Sequence, residues 1–248
     1  MTTASAHDQA QLLELQQADS SLDVIAHRLR NLPERAVLAA ADSELVTLAD
    51  RLVAADAEVS DLERAVRRAE AEVEAVKERA RRDNELLISG SITAPKQLEE
   101  LQHEVASLAR RQDDLETAEL EVMEQLDGAV ANRAEISVRT DAVTRDRDAA
   151  ATAIAEAEAH AAGEREQITA ERNRLAASLP AELLALYERI RADSAGVGAA
   201  RVHRGRCEGC HLDLPPSDVA RIRAAADDEV LRCEECRRIL IRTSESGL

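Results

Sequence analysis

The chain has no tryptophan, no phenylalanine and one tyrosine, Tyr187, in 248 residues. Aromatic side chains supply much of the area that a compact interior buries, so their scarcity excludes one large globular core. Long apolar runs are missing as well. None approaches the roughly 18 residues needed to cross a bilayer, and residues 1–20 lack the basic start and apolar stretch of a secretory signal. The expectation is a cytoplasmic protein with no membrane partner. There is no paired nucleophile and base, no phosphate-cradling glycine loop and no open metal site. Gly196-Val197-Gly198 lacks the third glycine of a dinucleotide fingerprint and follows a helix, where that fingerprint precedes one. These absences point away from an enzyme and from a small-molecule substrate.

What is present is charge and periodicity. Charged residues make up 33% of the chain, and the net charge is −17. Residues 201–248 hold nine arginines and nine acids. Taken from totals of 32 basic and 49 acidic residues, this leaves 23 and 40 in the first 200, where the whole net charge lies. An acidic rod repels phosphate backbones, so any nucleic-acid contact has to come from the tail.

From Leu38 the apolar residues keep a seven-residue repeat. One series is Leu38, Leu45, Leu52, Val59, Val66, Val73 and Ala80; the other is Ala41, Leu48, Ala55, Leu62, Ala69 and Val76. A sustained 3.5-residue spacing keeps a seam on a partner helix only when the helices supercoil. Leu12, Leu15, Leu22, Ile25, Leu29 and Leu32 have similar spacing upstream, with Pro33 as the break between the two stretches. The repeat stops at Ser89-Gly90-Ser91-Ile92-Thr93-Ala94-Pro95, where Gly90 can end a helix, Thr93 can cap the next and Pro95 suits a first turn. It resumes from Leu101 through Leu108, Leu115, Val122, Ala129, Ile136, Val143, Ala150 and Ala157, with a more polar companion series.

Two arms of about 80 residues, or about 120 Å each at 1.5 Å per residue, favour an antiparallel hairpin. Two helices that dimerise between chains remain the alternative, because heptads do not fix the partner. The hairpin pairs Leu45 with Ile136, Leu52 with Ala129, Val59 with Val122, Val66 with Leu115, Val73 with Leu108 and Ala80 with Leu101, centring the turn on Gly90-Ser91. A slip of three or four residues is the competing register.

Pro180 closes this region. A helical segment with Leu183, Leu184, Leu186, Tyr187 and Ile190 follows, and then a glycine-containing hinge at 195–199. All four cysteines lie beyond it, in Cys207-Glu208-Gly209-Cys210 and Cys233-Glu234-Glu235-Cys236. Two Cys-x-x-Cys pairs 22 residues apart read as one zinc site. Four thiolates fill a tetrahedron and leave no position for water, so the Zn²⁺ is structural. Short alternating stretches flank both pairs, and Ser217 can cap a small helix carrying Val219 and Ile222. Cys207 to His211 also fits covalent haem attachment, oxidation of the thiols could act as a redox switch, and His211 could replace one cysteine as ligand.

The fold class is therefore mainly α: a long antiparallel coiled-coil hairpin with a small C-terminal β zinc ribbon. Residues 1–180 form the hairpin, 181–200 a connecting helix and hinge, and 201–248 the ribbon. At this point the sequence resembles the bacterial C4-type zinc-ribbon coiled-coil family, most closely its actinobacterial branch. The resemblance rests on residues 183–191, 196–200, Arg206 to Cys210, Cys233 to Leu240 and the turn at 89–96. Many relatives have Gly after the fourth cysteine, where this chain has Arg237. The resemblance implies a zinc-binding adaptor with protein or nucleic-acid partners.

Two binding functions follow from these features. In the first, hairpin and ribbon mediate protein–protein interaction. Leu86, Leu87 and Ile88 precede the turn and Ile92 lies within it; three consecutive apolar residues cannot all face one seam, so some either contact a partner or cap the hairpin's own end. In the second, Arg204, Arg206, Arg237 and Arg238 gather on a basic ribbon face that binds DNA or RNA, against which stands the reading that alternating Arg and Glu solvate small strands.

Overall fold

A computed structural model describes residues 2–247. Its helices are α1 (Ala6–Arg30), α2 (Pro33–Ile88), α3 (Pro95–Ser178), α4 (Ala181–Asp193) and α5 (Pro216–Ala224). Its strands are β1 (Ala199–His203), β2 (Arg206–Cys207), β3 (Leu231–Arg232) and β4 (Ile239–Ile241). The chain forms two compact units: residues 36–150, and residues 1–35 together with 151–248.

The first unit is an antiparallel hairpin formed within one chain. Gly90 adopts a φ of 67°, and Pro95 opens α3, whose first backbone bond runs from the N–H of Leu98 to the carbonyl of Ala94. Ala94 rather than Thr93 thus stands at the cap. The seam buries Ala41, Leu48 and Ala55 of α2 against Ile136 and Val143 of α3, with Leu45 and Leu52 packed alongside. Charged pairs cross between the arms on both flanks: Arg79 with Glu104, Lys77 with Glu116, Asp56 with Arg133, Glu44 with Arg139 and Asp42 with Arg147.

These pairs correct the expected register. In every one, the second-arm residue lies between two and twelve positions further along the chain than a turn centred on Gly90-Ser91 requires. The connection between helices runs from Ser89 to Ala94, so the hairpin axis falls beyond Ser91. The apolar repeat did not reveal this, because heptads alone do not fix register.

The second unit packs α1, the end of α3, α4 and the ribbon together. A capping box starts α1: Ser5 Oγ accepts from the Asp8 N–H at 3.1 Å and the Asp8 carboxylate accepts from the Ser5 N–H at 3.3 Å. Leu12 and Leu15 then meet Leu175, Leu179, Leu183, Tyr187 and Ile190, with Ile239 and Ile241 of the sheet closing the cluster. The sheet order is β2-β1-β4-β3; β1 and β4 are parallel, and the other two pairings are antiparallel. A second cluster under the sheet joins Val202, Leu214, Ile222, Leu231 and Leu240 to the cysteines. Pro215 precedes α5, so Ser217 lies inside that helix and does not cap it. At the other end of α5, Arg242 donates to the carbonyls of Ala225 at 2.9 Å and Ala226 at 2.5 Å, satisfying groups the helix leaves open.

Candidate metal centre

Each cysteine pair is built the same way. In the first knuckle the N–H of His211 donates to the carbonyl of Cys207 at 2.8 Å, and the N–H of Cys207 to the carbonyl of Leu212 at 3.0 Å. In the second, Arg237 donates to Cys233 at 2.9 Å and Cys233 to Arg238 at 3.0 Å. The residue after each pair turns left-handed, His211 with φ 59° and Arg237 with φ 62°. This conformation costs a side-chain-bearing residue about 1 kcal/mol or more. Arg237 therefore takes up the knuckle geometry that glycine would supply more cheaply, and the turn closes without it.

The arginine before each pair secures the strained residue. Arg206 Nε donates to the carbonyl of His211 at 2.7 Å, and Arg232 Nε to the carbonyl of Arg237 at 2.9 Å. The signal for these roles is the repeated Arg-Cys-Glu-x-Cys at 206–210 and 232–236, which only comparison of the two pairs reveals.

The four Sγ atoms all lie within 4.8 Å of one another, with Cys207 and Cys236 at 3.9 Å and Cys210 and Cys233 at 4.0 Å. A tetrahedral Zn²⁺ with Zn–S bonds of about 2.3 Å needs thiolates about 3.8 Å apart, so the cluster fits. Among the described residues no histidine or carboxylate joins this group, which removes His211 as ligand; four converging thiols also remove the haem reading. Burial pushes the Cys207 thiol up to about 12 and raises that of Cys233. At Cys236 burial also opposes ionisation, but the backbone N–H of Arg238 and the neighbouring donors outweigh it and lower the value. Metal supplies the charge that lets all four ionise together and contributes folding free energy to a ribbon too small for an adequate core.

Arg238, expected on a basic outer face, turns inward. Its guanidinium donates to the carbonyls of Gly209 at 2.9 Å, Val197 at 3.0 Å and Ser194 at 2.9 Å. It thus ties the first knuckle to the segment after α4. That segment, expected to be a hinge, is held from α1 as well. Gln16 Oε1 accepts from the Gly198 N–H at 2.6 Å while Gln16 Nε2 donates to the Gly196 carbonyl at 2.9 Å. A Cβ on Gly198 would lie 2.7 Å from the Tyr187 ring, so only glycine admits that approach. Tyr187 donates its hydroxyl to Asp19 at 2.7 Å, and Arg172 reaches the other Asp19 oxygen at 3.2 Å. Burial, with Asp19 beside it, raises the Tyr187 hydroxyl well above its usual value.

The remaining ribbon arginines are mostly engaged. Arg201 pairs with Glu208 at 2.6 Å and Arg221 with Glu234 at 3.2 Å. Arg204 and Arg237 are exposed, the latter loosely paired with Glu234 at 3.9 Å. At the hairpin turn Ile88 is 85% and Leu86 47% exposed, while Leu87 and Ile92 are half-buried.

A family model described as a CT398-like coiled coil hairpin domain matches residues 15–195, and one described as a C4-type zinc ribbon domain matches residues 206–240. The chain belongs to the CT398-like coiled-coil hairpin family. It is 42% identical over 239 residues to an uncharacterized protein of Mycobacterium tuberculosis, covering 96% of this chain and 97% of that one. A Mycobacterium leprae protein, also named as uncharacterized, is 32% identical over 220 residues, covering 88% of this chain and 93% of its own. A solved structure from Mycobacterium smegmatis superposes with a TM-score of 0.80 at 36% identity, covering 97% of this chain and all of that one. CT398 from Chlamydia trachomatis shares the fold at TM-score 0.65 and 16% identity, over 96% of this chain and 98% of its own. Within this family the four clustered cysteines are a structural zinc site, and the hairpin with its ribbon supports a structural, adaptor-type role. Neither matching model describes an enzyme. Among the described residues no helix is long and apolar enough to cross a membrane.

Proposed function

We propose that the protein is a non-enzymatic adaptor that holds protein partners through the hairpin turn and the zinc ribbon, in a reducing compartment such as the cytoplasm, where zinc thiolates persist. The observation that carries this reading is the uncovered apolar turn. Ile88 and Leu86 stand exposed at the turn, and Leu87 and Ile92 lie half-buried beside them. On the ribbon, Arg204 and Arg237 are the candidate contacts that hold no backbone carbonyl with their side chains; Arg206 and Arg238 belong to the knuckles. A ribbon whose arginines mostly face acids or carbonyls offers little to a phosphate backbone, so we favour protein over DNA or RNA.

The test compares proteins that co-purify with the full chain, with a Leu86→Ser, Ile88→Ser double variant, and with an Arg204→Glu, Arg237→Glu variant. The expected outcome is a partner lost from the turn variant at unchanged melting temperature. Bound material that nuclease removes, and whose retention falls steeply with salt, would instead establish the nucleic-acid reading.

A further inference from the structure

One flank of the hairpin carries both an apolar stripe and an unbalanced charge, away from the turn and the ribbon. On α3, Leu120, Met123 and Val130 are 61%, 42% and 47% exposed. Their spacing of three and seven residues sets them on one stripe of the helix, off the buried series of Leu115, Ala129 and Ile136. On α2, Val46 and Val53 are also exposed, seven residues apart. An ion pair fixes the two runs to the same side: Asp56, one turn from Val53, pairs with Arg133, one turn from Val130. Single exposed valines are ordinary, but five apolar residues gathered along one flank of a two-helix rod are not.

The α3 charge around Leu120 and Met123 is of one sign. Residues 113–127 contain seven acids, and no Lys or Arg occurs between Arg111 and Arg133. Lys77 of α2 pairs with Glu116 at 2.8 Å, and among the described residues no other ion pair reaches this band. Arg67 of α2 is paired with Glu63 at 3.9 Å, within its own helix. The α3 side of the flank is left strongly negative.

We propose that this flank docks a basic amphipathic helix, laid alongside the hairpin as a third strand of the bundle. The apolar stripe would receive the partner's Leu or Ile residues at i, i+3, i+4 and i+7, and the acidic band its flanking Lys or Arg. A second copy of this chain is a poorer occupant, because it would bring the same acidic band against this one.

The test uses the full-length zinc-loaded protein and a labelled peptide of about 18 residues, about 27 Å as a helix, with Leu at amphipathic spacing and Lys elsewhere. A scrambled peptide of identical composition measures attraction by charge alone. Fluorescence anisotropy is expected to show at least about tenfold tighter binding of the amphipathic peptide, weakening as salt rises. Leu120→Gln with Val130→Gln is expected to abolish that tenfold advantage, while the exposed control Val24→Gln leaves it intact. Equal binding of both peptides, or an advantage that survives the double variant, would overturn the proposal. So would sedimentation equilibrium showing a dimer that the double variant dissolves, since the stripe would then be covered by a second copy.

Discussion

The two compact units solve the same problem, interiors that share a single aromatic side chain, Tyr187, by different means. The hairpin repeats one small contact: alanines, leucines and valines recur every seven residues, and exposed ion pairs line the flanks. The ribbon unit repeats almost nothing except its knuckles. Its order depends on unique contacts, among them the Asp19 carboxylate between Tyr187 and Arg172, Gln16 on the glycine segment, and Arg238 on three carbonyls. A repeated contact spreads its free energy over many equivalent residues. A unit of unique contacts concentrates it, so single substitutions are expected to act unevenly on the two.

Removal of a metal ligand separates them most sharply. Cys233→Ser is expected to abolish stoichiometric zinc and to leave residues 199–242 exchanging amide hydrogen freely, while residues 41–55 and 129–143 keep their protection. Structural zinc sites contribute on the order of 10 kcal/mol, more than such a ribbon holds in reserve. Simultaneous loss of protection in both regions would show that the hairpin depends on the ribbon.

Asp19→Ala comes next. It leaves Tyr187 and the half-buried Arg172 without their buried partner. The expected cost is about 3 kcal/mol, measured by denaturant unfolding of the ribbon unit. The same hydroxyl sets a pH limit. Its value is raised in the folded chain, so the stability it contributes is complete below the unfolded value of about 10 and is lost as pH rises above it. Tyr187→Phe is expected to flatten that alkaline decline.

In the hairpin, Leu48→Ala removes a buried side chain from the seam and is expected to cost about 2–3 kcal/mol, at the lower end for a leucine because neighbouring helices can settle together. Glu44→Gln, which removes an exposed pair with Arg139, is expected to leave the unfolding midpoint unchanged within error. A large effect there would mean that register, rather than pair energy, resides in the crossing charges.

The same contrast explains what was legible in the sequence. Periodicity announces a repeated contact, so both arms and the turn near Gly90 could be read, although periodicity alone does not fix the register. Cysteine spacing announced the four converging thiols. Unique contacts carry no local signature: nothing around Gln16 or Asp19 says that their partners lie about 170–180 residues away, and Gly196-Val197-Gly198 has the composition of a hinge until Gln16 and Tyr187 are beside it. Arg206 and Arg238 looked like surface charge because sequence shows a guanidinium's sign and not which carbonyl it reaches.

The separation of those contacts along the chain bears on the order in which the molecule folds. Gln9 donates to the carbonyl of Asp227 across 218 positions, so α1 waits for residues made long after it. Residues 36–150 intervene, and their own contacts are nested, each pair enclosing a nearer one. Zipping from the turn brings Ala41 beside Val143 and thereby shortens the open loop between α1 and its late partners before either has to search for the other. The rod is thus expected to act as a splint during folding, and substitutions that slow its zipping are expected to leave α1 exposed to proteases for longer while leaving the finished molecule equally stable.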